Sequence, residues 1–295
     1  MIRVGIIGYG NLGRGVECAV NKAHDMQLMA VFTRRDPGSV NILSKNVEVA
    51  SVDTVTDWVG KIDVMILCGG SATDLEAQTP HFAEYFNVVD SFDTHPKILQ
   101  HYGDVNEAAL EHNTLAVISA GWDPGSDSVV RAMLQAIAPK GITYTNFGPG
   151  MSMGHTVAVK AIEGVKAALS MTIPMGTGVH RRMVYIEVKD GYDFKQVAAA
   201  IKADDYFAHD ETHVMQVECV DNLLDMGHGV NLVRKGVSGK TQNQLVEFDM
   251  KINNPALTAQ ILVAVARASF KQQPGAYTMI ELPVIDMICG EREDL

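Results

Sequence analysis

The chain has 295 residues, 47% of them hydrophobic, and a formal net charge of -11. That length suits two domains and a sizeable core. With no long basic block, the acidity speaks against nucleic-acid binding, and no apolar segment is long enough to span a bilayer.

A short apolar strand is predicted at 4–7. It runs into Gly8-Tyr9-Gly10-Asn11-Leu12-Gly13 and then a helical stretch at 14–22. Strand, GxGxxG and helix in that order form the dinucleotide fingerprint. Gly8 permits a tight turn, Gly10 lets the backbone approach a pyrophosphate, and Gly13 lets helix and strand pack closely. The helix start offers free N–H groups to the phosphates. The next strand, at 28–32, ends in Thr33-Arg34-Arg35. An NAD-binding fold usually sets an acid there, against the ribose 2′-hydroxyl. No carboxylate sits at this strand tip, and two guanidinium groups suit a 2′-phosphate. The expected cofactor is therefore NADP.

Strands at 47–52, 62–67, 87–90 and 115–119, with a helix at 105–111, continue an alternation that predicts a Rossmann-type, doubly wound parallel sheet. The strand at 62–67 ends in Cys68-Gly69-Gly70-Ser71-Ala72-Thr73-Asp74, a small-residue turn that fits a ribose- or phosphate-facing loop. The next ends in Ser91-Phe92-Asp93-Thr94-His95, and the last in Ala120-Gly121-Trp122-Asp123-Pro124-Gly125. Asp93 and Asp123 fall at the carboxyl edge of the sheet, where ligands bind in open α/β folds. They could hold a substrate ammonium, or serve only as turn and capping residues. Trp122 could wall a pocket or fill the core.

After about residue 120 the pattern changes. A helix at 129–137, a strand at 142–147, a helix at 156–168 and half-exposed strands at 183–188, 216–220 and 245–252 predict a second, largely antiparallel α+β domain. A helix at 257–271, flanked by Asn254-Pro255 and Pro274-Gly275, returns with the tail to the first domain. The expected division is 1–120 with 255–295 for the dinucleotide, and 121–254 for substrate binding and dimerisation. Thr172, Arg182 and His228 could clamp a carboxylate, though a capping Thr and a surface Arg would read alike. His155 opens a helix as a cap or a buried hydrogen bonder. Cys18, Cys68, Cys219 and Cys289 show no CxxC and no zinc-like spacing, so no metal is implied. The sequence opens on a strand, leaving no room for a signal peptide, and a cytoplasmic location is expected.

The glycine fingerprint, the segments from Cys68, Asp90 and Gly121, and Phe147-Gly148-Pro149-Gly150-Met151-Ser152-Met153-Gly154-His155 together resemble the meso-diaminopimelate D-dehydrogenase family over nearly the whole chain. The resemblance implies NADP-dependent oxidative deamination of the D-centre of meso-2,6-diaminopimelate, reversible as reductive amination in lysine biosynthesis. It implies substrate contacts at Asp93, Trp122, Asp123, Phe147, Met153, Gly154, Thr172, Arg182, His228 and Asn254. Thr172, Arg182 and His228 would grip the distal carboxylate. Asp93 and Asp123 would be catalytic at the reacting centre, where either acid or an ordered water takes the ammonium proton. Cofactor contacts are expected at Gly8, Tyr9, Gly10, Asn11, Leu12, Gly13, Thr33, Arg34, Arg35, Cys68, Gly69, Gly70, Ser71, Ala72 and Thr73. They continue at Ser91, Phe92, Asp93, Ala120, Gly121, Trp122, Asp123, Pro124 and Gly125. The implied partners are the small-molecule substrate, ammonia in reverse, and further copies of the chain in a homo-oligomer built from dimers. Another two-domain NADP oxidoreductase would lack the Gly121 and Phe147 segments. An NADPH-binding sensor would have no use for both acids.

Overall fold

Strands buried on both faces read as continuous apolar runs rather than alternating ones, and the first half of the chain is built from such runs. In the computed structural model they form β1 (Ile2–Ile7), α1 (Asn11–Val20), β2 (Met26–Thr33), β3 (Glu48–Ser51), β4 (Val64–Leu67), α2 (Glu76–Ala83), β5 (Asn87–Asp90), α3 (Ile98–His112) and β6 (Leu115–Ile118). There follow α4 (Asp127–Ile137), β7 (Lys140–Phe147), β8 (Gly150–Met151), α5 (Met153–Ala161), β9 (Val165–Gly176), β10 (Val179–Val188), α6 (Phe194–Ala203), β11 (Glu211–Gln216), β12 (His228–Val237), β13 (Asn243–Ile252), α7 (Asn254–Ser269) and β14 (Gly275–Thr278). The structure describes every residue except 177–178, 224–226, 241–242 and 291–295, and leaves out the side chains of Ala72 and Met153.

The chain divides into two compact units, Met1–Ala132 with the segment from Pro255 onward, and Met133–Asn254. In the first, seven parallel strands run in the order β14-β6-β5-β4-β1-β2-β3. The order reverses direction beside β1, the switch point of a doubly wound sheet, outside whose carboxyl ends ligands bind. Val16 and Val20 of α1 share one core with Leu262, Val263 and Ala266 of α7. Phe82 of α2 and Val105 and Ala109 of α3 share the other. Helices thus cover both faces, as an all-parallel sheet requires.

The first crossing between units lies inside α4, not at the expected 120/121. Residues 122–131 stay with the nucleotide unit because they are tied to it. Ser126 N donates to Gly121 O at 2.9 Å, Arg131 pairs with Asp123 at 2.7 Å, and Val129 packs on the core of Ala120 and Met279.

The second unit holds two sheets, β11-β10-β9-β8 and β13-β12-β7. All pairings are antiparallel except β10 with β11. Two expectations need correction here. The helix expected at 156–168 stops at Ala161, and 165–168 begin β9, where Ala168 pairs with Ile186. The break is Gly164 at φ +88, a left-handed turn that suits glycine. The strand expected at 216–220 lies earlier, at Glu211–Gln216, because its register with β10 runs out at Ile186. Among the described residues no helix is long and apolar enough to cross a membrane.

Candidate active site

The glycine loop leaves β1 beside β2 and β4. Gly8 has φ +90, and a Cβ on Gly13 would sit 2.2 Å from Gly8 O, so helix α1 reaches the strand only through glycine. A Cβ on Gly10 would meet no heavy atom within 4 Å, which leaves its backbone open to a ligand. No side chain caps the start of α1, so the N–H groups of its first turn face outward for an anion. The Tyr9 hydroxyl donates to buried Glu17, which also accepts Ser44 N at 2.6 Å and Leu43 N at 3.1 Å. Burial would push Glu17 up, but the bonds from Tyr9, Ser44 and Leu43 outweigh it and hold the carboxylate below its ordinary range. Burial and Glu17 push the Tyr9 phenol up to about 12. The ring of Tyr9 therefore braces the loop.

At the tip of β2, Arg35 Nη2 donates to the Tyr9 carbonyl at 2.5 Å, and buried Thr33 accepts Arg35 N through Oγ1 at 3.1 Å. Arg34 forms a two-point pair with Asp74, Nη1 to Oδ1 at 2.8 Å and Nη2 to Oδ2 at 3.1 Å. The expectation of a carboxylate-free tip is thus corrected: Asp74 arrives from 40 residues away. Its negative charge is balanced by Arg34, and both line a pocket with Gly8, Phe32, Gly69 and Gln78. Open backbone at Gly10 beside two fork-shaped cations fits NADP. Replacing Arg34 and Arg35 together with Ala should raise KM for NADP+ by about 30-fold or more, at the usual 1.5–3 kcal/mol per charged hydrogen bond. KM for NAD+ should change little. Equal effects in steady-state assays of both cofactors would refute the roles of this pair.

Two acids lie at the carboxyl edge of the same sheet, on loops that share one anchor. Buried Asp90 ends β5. Its Oδ1 accepts Phe92 N at 3.0 Å and Ser119 N at 2.8 Å, while Oδ2 accepts the Thr79 hydroxyl and His101 Nε2, each at 2.7 Å. The His101 ring stacks on Phe92 at 4.1 Å between centroids. One carboxylate therefore fixes the backbone leading to Asp93 and the backbone leading to Asp123. Asp93 itself is exposed, with its N–H on Ser71 Oγ at 3.1 Å. Asp123 Oδ1 accepts Arg131 Nη1 at 2.7 Å. Changing Asp90 to Asn leaves the four donors without a full acceptor set. We expect kcat to fall about tenfold, with a stability loss of about 1–3 kcal/mol and KM for NADP+ within about twofold. Unchanged kcat beside a lowered melting temperature would limit Asp90 to stability.

The second unit gathers the other group. Thr172 on β9 and Arg182 on β10 are register partners, and Arg182 Nη1 donates to Thr172 Oγ1. Arg182 Nε also donates to Asp210 at 2.6 Å. On the other edge of β9, Gly150 of β8 pairs with Thr172. A Cβ on Gly150 would lie 2.2 Å from Gly227 O and 3.0 Å from the His228 Cα, so glycine lets the start of β12 close on β8. Phe147 N donates to His180 Nε2 at 3.0 Å, which makes that nitrogen an acceptor. Asn254 follows β13 by two residues, and β13 ends with Ile252 opposite His228. Gly154 is exposed near the start of α5. The Met153 and Ala72 side chains lie outside the described ones. Burial pushes His228 down to about 4, and burial with the Arg182 charge does the same to His155. Both are neutral near pH 7, and the Arg182 charge acts on His155.

A family model described as the diaminopimelic acid dehydrogenase C-terminal domain matches residues 121–179. The meso-diaminopimelate D-dehydrogenase of Bacteroides fragilis is 61% identical over 293 residues, spanning 99% of this chain and 97% of its own. The chain belongs to the meso-diaminopimelate D-dehydrogenase family. Two solved structures agree in fold. The diaminopimelate dehydrogenase of C. glutamicum in complex with DAP superposes at TM-score 0.88 with 33% identity, covering 99% of this chain and 97% of that one. An engineered D-amino acid dehydrogenase bound to NADP+ superposes at 0.83 with 31% identity, covering 99% and 98%.

Sequence reasoning did not single out Asp90, His101, Asp127, Arg131 or Asp210. The signal for Asp90 was present, since an acid ending a buried apolar strand needs partners. Nothing in the spacing pointed to Asp210, 28 residues from Arg182.

Proposed function

We propose that Asp123 takes the ammonium proton of the substrate, that Asp93 orients the reacting D-centre, and that Thr172, Arg182 and His228 hold the distal carboxylate. The reaction is the NADP-dependent oxidative deamination of the D-centre of meso-2,6-diaminopimelate to L-2-amino-6-oxopimelate, reversible as reductive amination in lysine biosynthesis. The pairing of Arg182 with Thr172 across β9 and β10 supports the roles most directly. It brings a guanidinium and a hydroxyl together where they can meet one carboxylate, and burial keeps His228 neutral. A diacid with two ammonium groups needs such an anchor at one end and acids at the other. Asp123 removes the proton because only the neutral amine can be oxidised: an N–H bond breaks and an O–H bond forms on the carboxylate. NADP+, when bound, supplies the two-electron acceptor. A wrong isomer would leave buried charges unpaired, which is how the site reads chirality.

Scattered cysteines without redox spacing support a cytoplasmic place. Closed symmetry, the commonest arrangement, supports a homo-oligomer built from dimers through the second unit. NADP+ reduction with the meso, LL and DD isomers of diaminopimelate and with D-lysine tests the roles. Turnover with the meso isomer alone is expected. Equal turnover of D-lysine would remove Thr172, Arg182 and His228 from the grip.

A further inference from the structure

Asp127 opens helix α4 with its side chain fully buried. Both carboxylate oxygens are buried and have no hydrogen-bond donor among the described residues. Its nearest cation is Arg131, whose Nη2 lies 3.7 Å from Asp127 Oδ2 while its Nη1 holds Asp123 Oδ1 at 2.7 Å. One guanidinium thus stands between two carboxylates, bonded to one and just out of hydrogen-bond reach of the other. Asp123 and Arg131 are the charged groups that act on Asp127. Burial and the Asp123 charge together push Asp127 up to about 7, against the pull of Arg131. An acid in this setting exchanges its proton in the working pH range.

We propose that Asp127 is a positioning residue for the proton transfer: by competing for Arg131 it makes Asp123 basic enough to take the substrate's ammonium proton. It depends on Asp123 being that base. While Asp123 keeps Arg131 to itself, the ion pair opposes protonation. With Asp127 ionised, the guanidinium has a second anion to turn to. The substrate N–H bond then breaks, an O–H bond forms on Asp123, and the Arg131 charge is satisfied by Asp127. In the aminating direction the same movement runs backwards. Ionisation of Asp127 sets the acid limb.

The test is kcat for deamination against pH at saturating substrate, in the wild type, Asp127→Asn, Asp127→Leu and Asp123→Asn. Both Asp127 variants mimic an uncharged Asp127. Leucine, close to aspartate in size, separates loss of the carboxylate from any effect of the new amide, and Arg131 keeps its 2.7 Å partner Asp123 in both variants. The wild type should lose activity as pH falls through about 7. Each Asp127 variant should show kcat lowered about tenfold, the equivalent of one pKa unit of lost basicity, and no acid limb near that pH. KM for NADP+ should stay constant. Wild-type kcat and pH profile in both variants, with Asp123→Asn inactive, would overturn the role of Asp127 alone. A lowered kcat with the acid limb intact would overturn it too, as a merely structural effect. Full activity in Asp123→Asn would show instead that the base itself was misassigned.

Discussion

Asp123→Asn should lower kcat for diaminopimelate deamination by about 10²- to 10⁴-fold, the usual worth of a positioned general base. The amide can still accept from Arg131 through Oδ1, where the carboxylate accepts now at 2.7 Å. The loop therefore keeps its anchor while the proposed proton acceptor is lost. Its backbone is fixed elsewhere, by Ser119 N on Asp90 at 2.8 Å and Ser126 N on Gly121 O at 2.9 Å. NADP+ KM and the melting temperature should accordingly stay near wild type. The loss should appear in kcat and kcat/KM alike, the mark of an interaction needed only on the way to the transition state. Steady-state NADP+ reduction measures it, and a kcat above half of wild type would exclude Asp123 from the mechanism.

Arg182→Met should act on the other parameter. Loss of charge-assisted bonds to a carboxylate, at about 1.5–3 kcal/mol each, predicts a rise of about 10- to 150-fold in diaminopimelate KM. Because the proposed grip is on the distal carboxylate, kcat should change far less. The variant also leaves Asp210 without its 2.6 Å partner, in a position only partly screened by water. A second signature separates loss of charge from misfolding. The Arg182 charge, after burial, helps to hold both His155 and His180 down. Its removal should raise both pKa values, and NMR titration of the histidine rings reads that shift directly. Unchanged KM would take Arg182 out of the grip. Unmoved histidines would show that burial alone sets their neutrality.

The glycine fingerprint was legible because its chemistry is local: strand, turn and helix lie within the first twenty residues, and each glycine has a separate steric reason. Asp93 and Asp123 were legible as strand-end residues, since topology alone sends them to the ligand edge. What surrounds them was not, because it is assembled by the fold. Asp74 meets Arg34 only once β4 lies near β2, and Asp90 gains its four donors only once α2, α3 and β6 pack around it. Asp127 precedes the helix expected at 129–137 and was not singled out, since an acid at a helix start is ordinary in water. Burial changed its meaning, and burial has no signature in a single acidic residue. The misread stretch 165–168 has the same origin. Val165, Ala168 and Leu169 carry a helical spacing, and only the pairing of Ala168 with Ile186 makes them a strand.

The nucleotide unit is interrupted in sequence, and this bears on how the protein comes into being at the ribosome. Residues 133–254 emerge as one stretch and contain the seven described strands of their own two sheets. The sheet that carries the glycine loop has no such independence. Its edge strand β14 and the α7 side chains that fill one face, Leu262, Val263, Val265 and Ala266 among them, are translated after the whole second unit. Until then Val4, Ile6, Val16 and Val31 lack the partners that cover them. The nascent chain therefore carries an open apolar face through synthesis of more than a hundred residues, and competence to bind the dinucleotide arrives only with the final helix and strand.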